Sequence, residues 1–162
     1  MIHFELSILI RRPPSDVFAF LRDKDQYPQE ENSPVLVLEK TTVGAVDVGT
    51  CYREVVQMLP FVRGEILSKI TRYEPSQFLE EDFEGAGMIG HLAYQFLPEG
   101  SGTRLTQRET LSARGFLKPL EPVIERMLSR RLVERLEEIK TVLEGGWATV
   151  DSVSGKCSEK GR

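Results

Sequence analysis

Phe116-Leu-Lys-Pro-Leu-Glu-Pro-Val-Ile-Glu-Arg-Met-Leu128 and its continuation through Leu132, Leu136, Ile139 and Leu143 decide the fold. Leu120, Ile124, Met127/Leu128, Leu132, Leu136, Ile139 and Leu143 recur at steps of three and four, the spacing of an amphipathic helix with one apolar stripe. At 1.5 Å per residue such a helix is about 35–40 Å long. Pro119 and Pro122 fall in or just before its first turns, where proline is tolerated. Gly145-Gly146 supplies the stop. A stripe of that length must be covered, and what precedes it reads almost entirely as strands.

Working back from the helix, Thr103 to Leu111 alternates as a strand, and Pro98-Glu-Gly-Ser-Gly102 is a hairpin loop before it. Met88 to Leu97, Gln77 to Glu84, Arg63 to Tyr73, Thr50 to Leu59 and Val35 to Lys40 are further strands, separated by Gly85-Ala-Gly87, Glu74-Pro-Ser76, Pro60 and the Gly44–Gly49 turn. Ile2 to Ile10 is the first strand, with Phe4, Leu6 and Ile8 on one face. Arg11-Arg-Pro-Pro14 stops it, and Ser15 or Asp16 caps a short helix that buries Val17, Phe18 and Leu21. A further turn runs from Asp23 to Pro28, and Glu30 to Pro34 is polar loop. Short loops make the six strands after the first pair as antiparallel neighbours. The fold class is α+β, with residues 1–145 as a single domain and 146–162 as a disordered Ser-, Gly- and Lys-rich tail. One long helix covers a curved seven-stranded sheet incompletely, so a cavity between the two is expected.

The chain has 162 residues, 40% apolar and 28% charged, with a formal net charge of −4. The negative balance and the mixed signs along the helix argue against nucleic acid as a partner. No apolar run approaches the roughly 20 residues of a transmembrane helix. The chain begins in a strand pattern without a charged-then-apolar leader, so no secretory signal and a cytoplasmic location are expected. Cys51 and Cys157 are far apart and are expected to be free thiols in a reducing compartment. His3 and His91 have no ligand-spaced partner, so no metal site is expected, and no glycine-rich loop opens a helix to hold a nucleotide. No nucleophile motif marks a serine.

Four stretches stand in order along the chain: Ile8-Leu-Ile-Arg-Arg-Pro-Pro-Ser-Asp-Val-Phe-Ala-Phe-Leu-Arg-Asp23, Asp47-Val-Gly-Thr-Cys-Tyr52, Ile70-Thr-Arg-Tyr-Glu-Pro75, and Tyr94-Gln-Phe-Leu-Pro-Glu-Gly-Ser-Gly-Thr-Arg-Leu-Thr106. Together they resemble the START-like (SRPBCC) superfamily with its helix-grip fold, whose members include polyketide cyclase/dehydratase-like and lipid-binding proteins. The resemblance spans Ile2 to Leu143 and rests on structural motifs. It implies a seven-stranded curved antiparallel sheet around the C-terminal helix, two short helices between strands one and two, and a cavity for a hydrophobic ligand. Asp25-Gln-Tyr-Pro28 is similar to ubiquinone-binding relatives, but Gln29-Glu-Glu-Asn32 follows where they carry aromatic and small residues.

Candidate site residues are polar groups on otherwise apolar strand faces. By the period of two, Tyr52, Glu54, Val56 and Met58 share a face, as do Leu92, Tyr94 and Phe96, and Leu105, Gln107, Glu109 and Leu111. Tyr52 and Tyr94 are expected to line the cavity, and His91 to lie outside. Glu54 and Glu109 face the cavity in one register and solvent in the other, because a slip of one residue exchanges the faces. A buried carboxylate there would act as a general acid or base; paired with Arg131 of the helix it would instead fix a polar ligand group. Leu120, Ile124, Met127 and Leu128 are the expected helical wall of the pocket, with Leu132 to Leu143 as core. Two readings follow. One is a cofactor-free binding protein for a small lipid, polyketide or isoprenoid. The other is a cyclase/dehydratase-like enzyme that uses Glu54 and Glu109 without metal or nucleotide. A protein-interaction or chaperone-cofactor role is a third. Oligomeric state is left open.

Overall fold

The computed structural model describes residues 1–26 and 33–146. Its order is strand β1 (Ile2–Ile10), helix α1 (Pro14–Arg22), a 3-10 turn (Lys24–Gln26), and strands β2 (Val35–Lys40), β3 (Cys51–Leu59), β4 (Val62–Glu74), β5 (Phe78–Gly85), β6 (Met88–Glu99) and β7 (Gly102–Ala113). A 3-10 segment (Gly115–Leu120) and helix α2 (Glu121–Glu144) follow. The expected tail, Cys157 and the Tyr27-Pro28 turn with the polar residues after it lie outside the described residues.

All seven strands form one antiparallel sheet in the order β1-β7-β6-β5-β4-β3-β2. The successive hairpins carry the chain from β2 to β7, and β1 closes the far edge beside β7, with Ile2 opposite Leu111 and Ile10 opposite Thr103. The helix-grip architecture implied by the resemblance is the one observed. The expected continuous helix from Phe116 is divided: a 3-10 segment carries Pro119 inside it, and α2 begins with Pro122 in its first turn. Neither proline has an N–H to bond backward, so the α-helical ladder starts only at Glu121. Gly146 ends it with φ of 99°, the left-handed conformation glycine adopts without a Cβ clash.

The core lies where α1 and the C-terminal half of α2 meet one sheet face. Val17, Phe18 and Leu21 of α1 and Leu136, Ile139 and Leu143 of α2 pack with Ile10, Ile70, Leu79, Tyr94, Phe96 and Leu105. Phe18 stands edge-on to both Phe96 and Tyr73, at centroid distances of 5.3 and 5.4 Å. The face alternation sets three cross-sheet rows that matter for the site. Tyr52, Ser68, Phe83, Gly90 and Leu111 form one; Ile70, Glu81, Leu92, Glu109 and Phe4 the next; Leu79, Tyr94, Gln107 and Leu6 the third. Among the described strands α2 packs chiefly on β1, α1 on β6 and β7, and the Lys24 turn on β2, so α2 covers only one side of this face.

Candidate functional site

Three carboxylates rise from the helix-facing side of the sheet. Glu54 on β3 and Glu109 on β7 belong to the rows expected from strand parity. Glu81, on β5, is a third that the sequence hides within an acidic run, although Leu79, Glu81 and Phe83 alternate. Glu81 and Glu109 stand in one row with Leu92 between them. A cation from outside the sheet meets this group. Lys24, in the turn after α1, donates to both Glu81 carboxylate oxygens at 2.9 Å and to Glu54 Oε1 at 3.4 Å. Its ammonium also lies 4.6 Å from the centroid of the Tyr52 ring. Burial alone would drive the Lys24 proton off; Glu81 and Glu54 outweigh it and hold the ammonium above its ordinary range.

Tyr52 is buried and its hydroxyl donates to the backbone oxygen of Arg22 at 3.2 Å, fixing the end of α1 against β3. Burial pushes its phenol up to about 12. The Tyr94 phenol is also raised, again chiefly by burial, with Arg135 pulling the other way. Burial raises the Glu109 carboxyl above the ordinary carboxylate range, opposed by the Arg135 charge and by a 3.2 Å hydrogen bond from Gln107 Nε2. The other end of the Gln107 amide, Oε1, is buried without a hydrogen-bond partner, as is Ser68 Oγ.

Arg135 completes the group from α2. Tyr94, Glu54, Glu81 and Glu109 surround its guanidinium at longer range and favour its charged form. Among the described residues it forms no hydrogen bond and no ion pair. It remains accessible to solvent while ringed by protein atoms, as a side chain in a concave space is. The enclosed part of that space has a volume of about 20 Å³, room for one water. Leu21, Ile70 and Leu79 line it on the apolar side, and Arg22, Lys24, Tyr52, Glu81, Tyr94 and Arg135 on the polar side. An open groove of about 580 Å³ crosses the middle of the sheet past Cys51, Leu67, Lys69, Phe83 and Ile89.

The structure thus brings Tyr52, Glu54, Tyr94, Gln107 and Glu109 to one side of the sheet. Val56 is half-buried on β3, and Phe96 is buried in the aromatic core. Ile124 and Leu128 are half-buried, whereas Leu120, Met127 and Arg131 are exposed; none of these five lines the enclosed cavity. The α2 arginine that does is Arg135, one turn beyond Arg131. Leu132, Leu136, Ile139 and Leu143 are buried core. His91 lies on the opposite face, its Nδ1 2.7 Å from Asp82 Oδ1. Among the described residues no group of three or more His, Cys, Asp or Glu could hold a metal ion, and no helix is long and apolar enough to cross a membrane.

Comparison with solved structures returns the same architecture. A START superfamily protein from Mycobacterium smegmatis superposes with a TM-score of 0.73 at 10% identity, covering 88% of this chain and 97% of that one. A Deinococcus radiodurans protein gives 0.65 at 18%, covering 91% and 100%. Ara h 8.0201 gives 0.65 at 14%, covering 88% and 95%. Identities this low establish the fold alone. No curated protein matches the sequence. Residues 1–144 match the family described as polyketide cyclase/dehydrase and lipid transport. With that match running from β1 through the last turn of α2, the chain belongs to the polyketide cyclase/dehydrase and lipid transport family, on a START-like helix-grip fold.

Proposed function

We propose that the chain binds a small hydrophobic molecule of lipid, polyketide or isoprenoid type, with an oxygen-bearing head held between the sheet and α2. The family and the fold support a hydrophobic ligand. The observation that carries the polar end is Arg135: a guanidinium in the concave space with no hydrogen-bond acceptor among the described residues, facing the Tyr94 ring system and the Glu109 carboxyl. A guanidinium that no protein acceptor engages is free to donate two of its N–H groups to one ligand oxygen pair. Lys24 is committed to Glu81 and Glu54, so its role is to set the shape and charge of the wall. Ligand pockets run to about 300–1,000 Å³, so binding requires the space to widen well beyond its enclosed volume. Of the expected helical wall, Ile124 and Leu128 are half-buried, and a widened space would bring them to the ligand.

Native mass spectrometry of the freshly purified chain tests this. A bound hydrophobe is expected in the wild type, and Arg135→Gln should weaken its retention at least about tenfold, the effect of losing one charge-assisted contact. A wild-type protein that carries no adduct from any lipid or polyketide extract would overturn the reading.

One observation favours a second reading. Burial raises the Glu109 carboxyl against the opposing pull of Arg135 and of the Gln107 N–H, and a carboxyl raised by burial is suited to general acid work. In a cyclase- or dehydratase-like reaction it would deliver that proton to a ligand carbonyl or leaving hydroxyl. Glu109→Gln should then abolish turnover while ligand retention persists.

A further inference from the structure

The end of the molecule around the start of α2 gathers several exposed apolar side chains, both exposed phenylalanines among them. Phe61 sits at the tip of the β3–β4 hairpin in a left-handed conformation, φ 70°, and is fully exposed. Phe116 is 85% exposed on the 3-10 segment, and Leu120, Val123 and Met127 are exposed along one outward face of its continuation into α2. These positions face away from the stripe of Leu132, Leu136, Ile139 and Leu143, so the first turns of α2 reverse the polarity of its later ones. The segments are neighbours in space. A side chain on Gly64 of β4 would meet the Ala86 side chain of the β5–β6 turn, one on Gly87 would meet Leu117, and the Arg114 N–H donates to the Gly87 oxygen at 2.8 Å. Phe61 lies three residues beyond Gly64, which carries its ring about 10 Å further out along the hairpin.

Charge is distributed in the same unequal way. The chain has a net charge of −4. Around this apolar end, however, Arg63, Lys118, Arg126 and Arg131 form no ion pair among the described residues. Arg126 and Arg131 flank Met127 on α2. The acids nearby are already matched: Glu84 with Arg114, and Glu121 with the chain's amino group and the Ala113 N–H. Glu125 is the exception. Exposed aromatic tips ringed by unmatched cations suit an apolar layer covered by anionic groups.

We infer that this end, built from Phe61, Phe116, Leu120, Val123 and Met127 with Arg63, Lys118 and Arg126 around them, docks on the surface of an anionic lipid bilayer. The phenylalanines enter the headgroup–acyl boundary and the cations contact lipid phosphates. The docking is reversible and peripheral, and it is independent of what the concave space holds.

Vesicle flotation with the full chain tests it, using vesicles of phosphatidylcholine alone and of equal parts phosphatidylcholine and phosphatidylglycerol. The wild type should float with the second and not the first, and added salt should release it. Phe61→Asn with Phe116→Ser should lower binding about tenfold or more, since partial burial of one phenylalanine is worth about that factor. Lys118→Gln with Arg126→Gln should lower it about fivefold per charge on the anionic vesicles. All four side chains are exposed, so unchanged circular dichroism and melting temperature are expected, as is unchanged ligand retention in native mass spectrometry. Failure of the wild type to float with either vesicle, or equal flotation of both variants, would overturn the inference. So would a wild-type dimer in sedimentation that Phe116→Ser dissociates, because the apolar face would then belong to a second copy.

Discussion

Replacing Lys24 by Met tests the central electrostatic arrangement of the site. Methionine matches the length of the lysine stem and can occupy its place beside Tyr52, so the change is chiefly the loss of the ammonium. That ammonium contacts both oxygens of Glu81 at 2.9 Å and Glu54 at 3.4 Å, with side-chain exposures of 14% for Lys24, 13% for Glu81 and 20% for Glu54. Removing one partner of a fully buried pair costs about 3–5 kcal/mol, because the remaining charge is stranded. Here the residual exposure lets water reach the carboxylates, and two negative charges are left where one cation stood. The two corrections oppose each other, and about 2–3 kcal/mol is expected, a fall in Tm of roughly 5–10 °C for a chain of this size. Urea denaturation of Lys24→Met, Glu81→Gln and the double variant forms the assay. The double variant should recover most of the loss, since it has neither a stranded ammonium nor a stranded Glu81 carboxylate, and the coupling between the positions should exceed about 1 kcal/mol. A Lys24→Met loss under about 0.5 kcal/mol, or a double variant no better than the worse single one, would refute the placement of this ion pair in a poorly hydrated site.

Leu143, fully buried at the end of α2, should cost about 2–5 kcal/mol when replaced by Ala, read from chemical denaturation. Gly85→Ala should cost more than about 2 kcal/mol, because its φ is 145° and the new Cβ would press on the Glu65 carbonyl oxygen. In an alkaline absorbance titration Tyr52 and Tyr94 should ionise after the ordinary phenol range, and Tyr52→Phe should remove the component near pH 12. For Glu109 the folded-state pKa lies above the unfolded one, so its contribution to stability is full below the unfolded value and is lost as pH rises through the folded value. Glu109→Gln should therefore flatten the stability profile on the acid side and leave the protein at least as stable as wild type at neutral pH.

Much of the fold is legible in the sequence because its elements are regular. The alternation of β3, β6 and β7 assigns Glu54, Tyr94, Gln107 and Glu109 to the face on which they lie, since those strands run there without a bulge. Glu81 carried the same signal between Leu79 and Phe83, but its neighbours Glu80 and Asp82 hide it in an acidic run. Lys24 could not be found by period at all. It lies in a 3-10 turn whose direction is set by how α1 packs, not by its own residues. On α2 the spacing of three and four merges two stripes that are distinct in space. Leu120 and Met127 continue the arithmetic of the core residues yet fall on the outward side, because 3.6 residues per turn carries a mixed three-and-four series around the axis and the prolines restart the helix at Glu121. Arg131 and Arg135 are both exposed to solvent, and only Arg135 lines the enclosed cavity.

The pairing of β1 with β7 has a consequence for the order of assembly. Among themselves the six strands from β2 to β7 pair only with sequence neighbours, so each hairpin closes a short loop and the meander can form by local steps. β1 must wait for a partner, since Ile2 lies opposite Leu111 and no earlier strand offers its edge. Loop-closure entropy grows only slowly with length, so the delay costs little stability but places the longest-range contact last. During synthesis β1 emerges before β2 to β7 yet is paired after them, and until then its apolar face and the edge of β7 are both open. α2, which packs chiefly on β1, can dock fully only after that pairing. Sheet closure and helix docking should accordingly appear as one late kinetic phase, slowed by substitutions in β1 such as Ile10→Val and little affected by those in the β2–β3 hairpin.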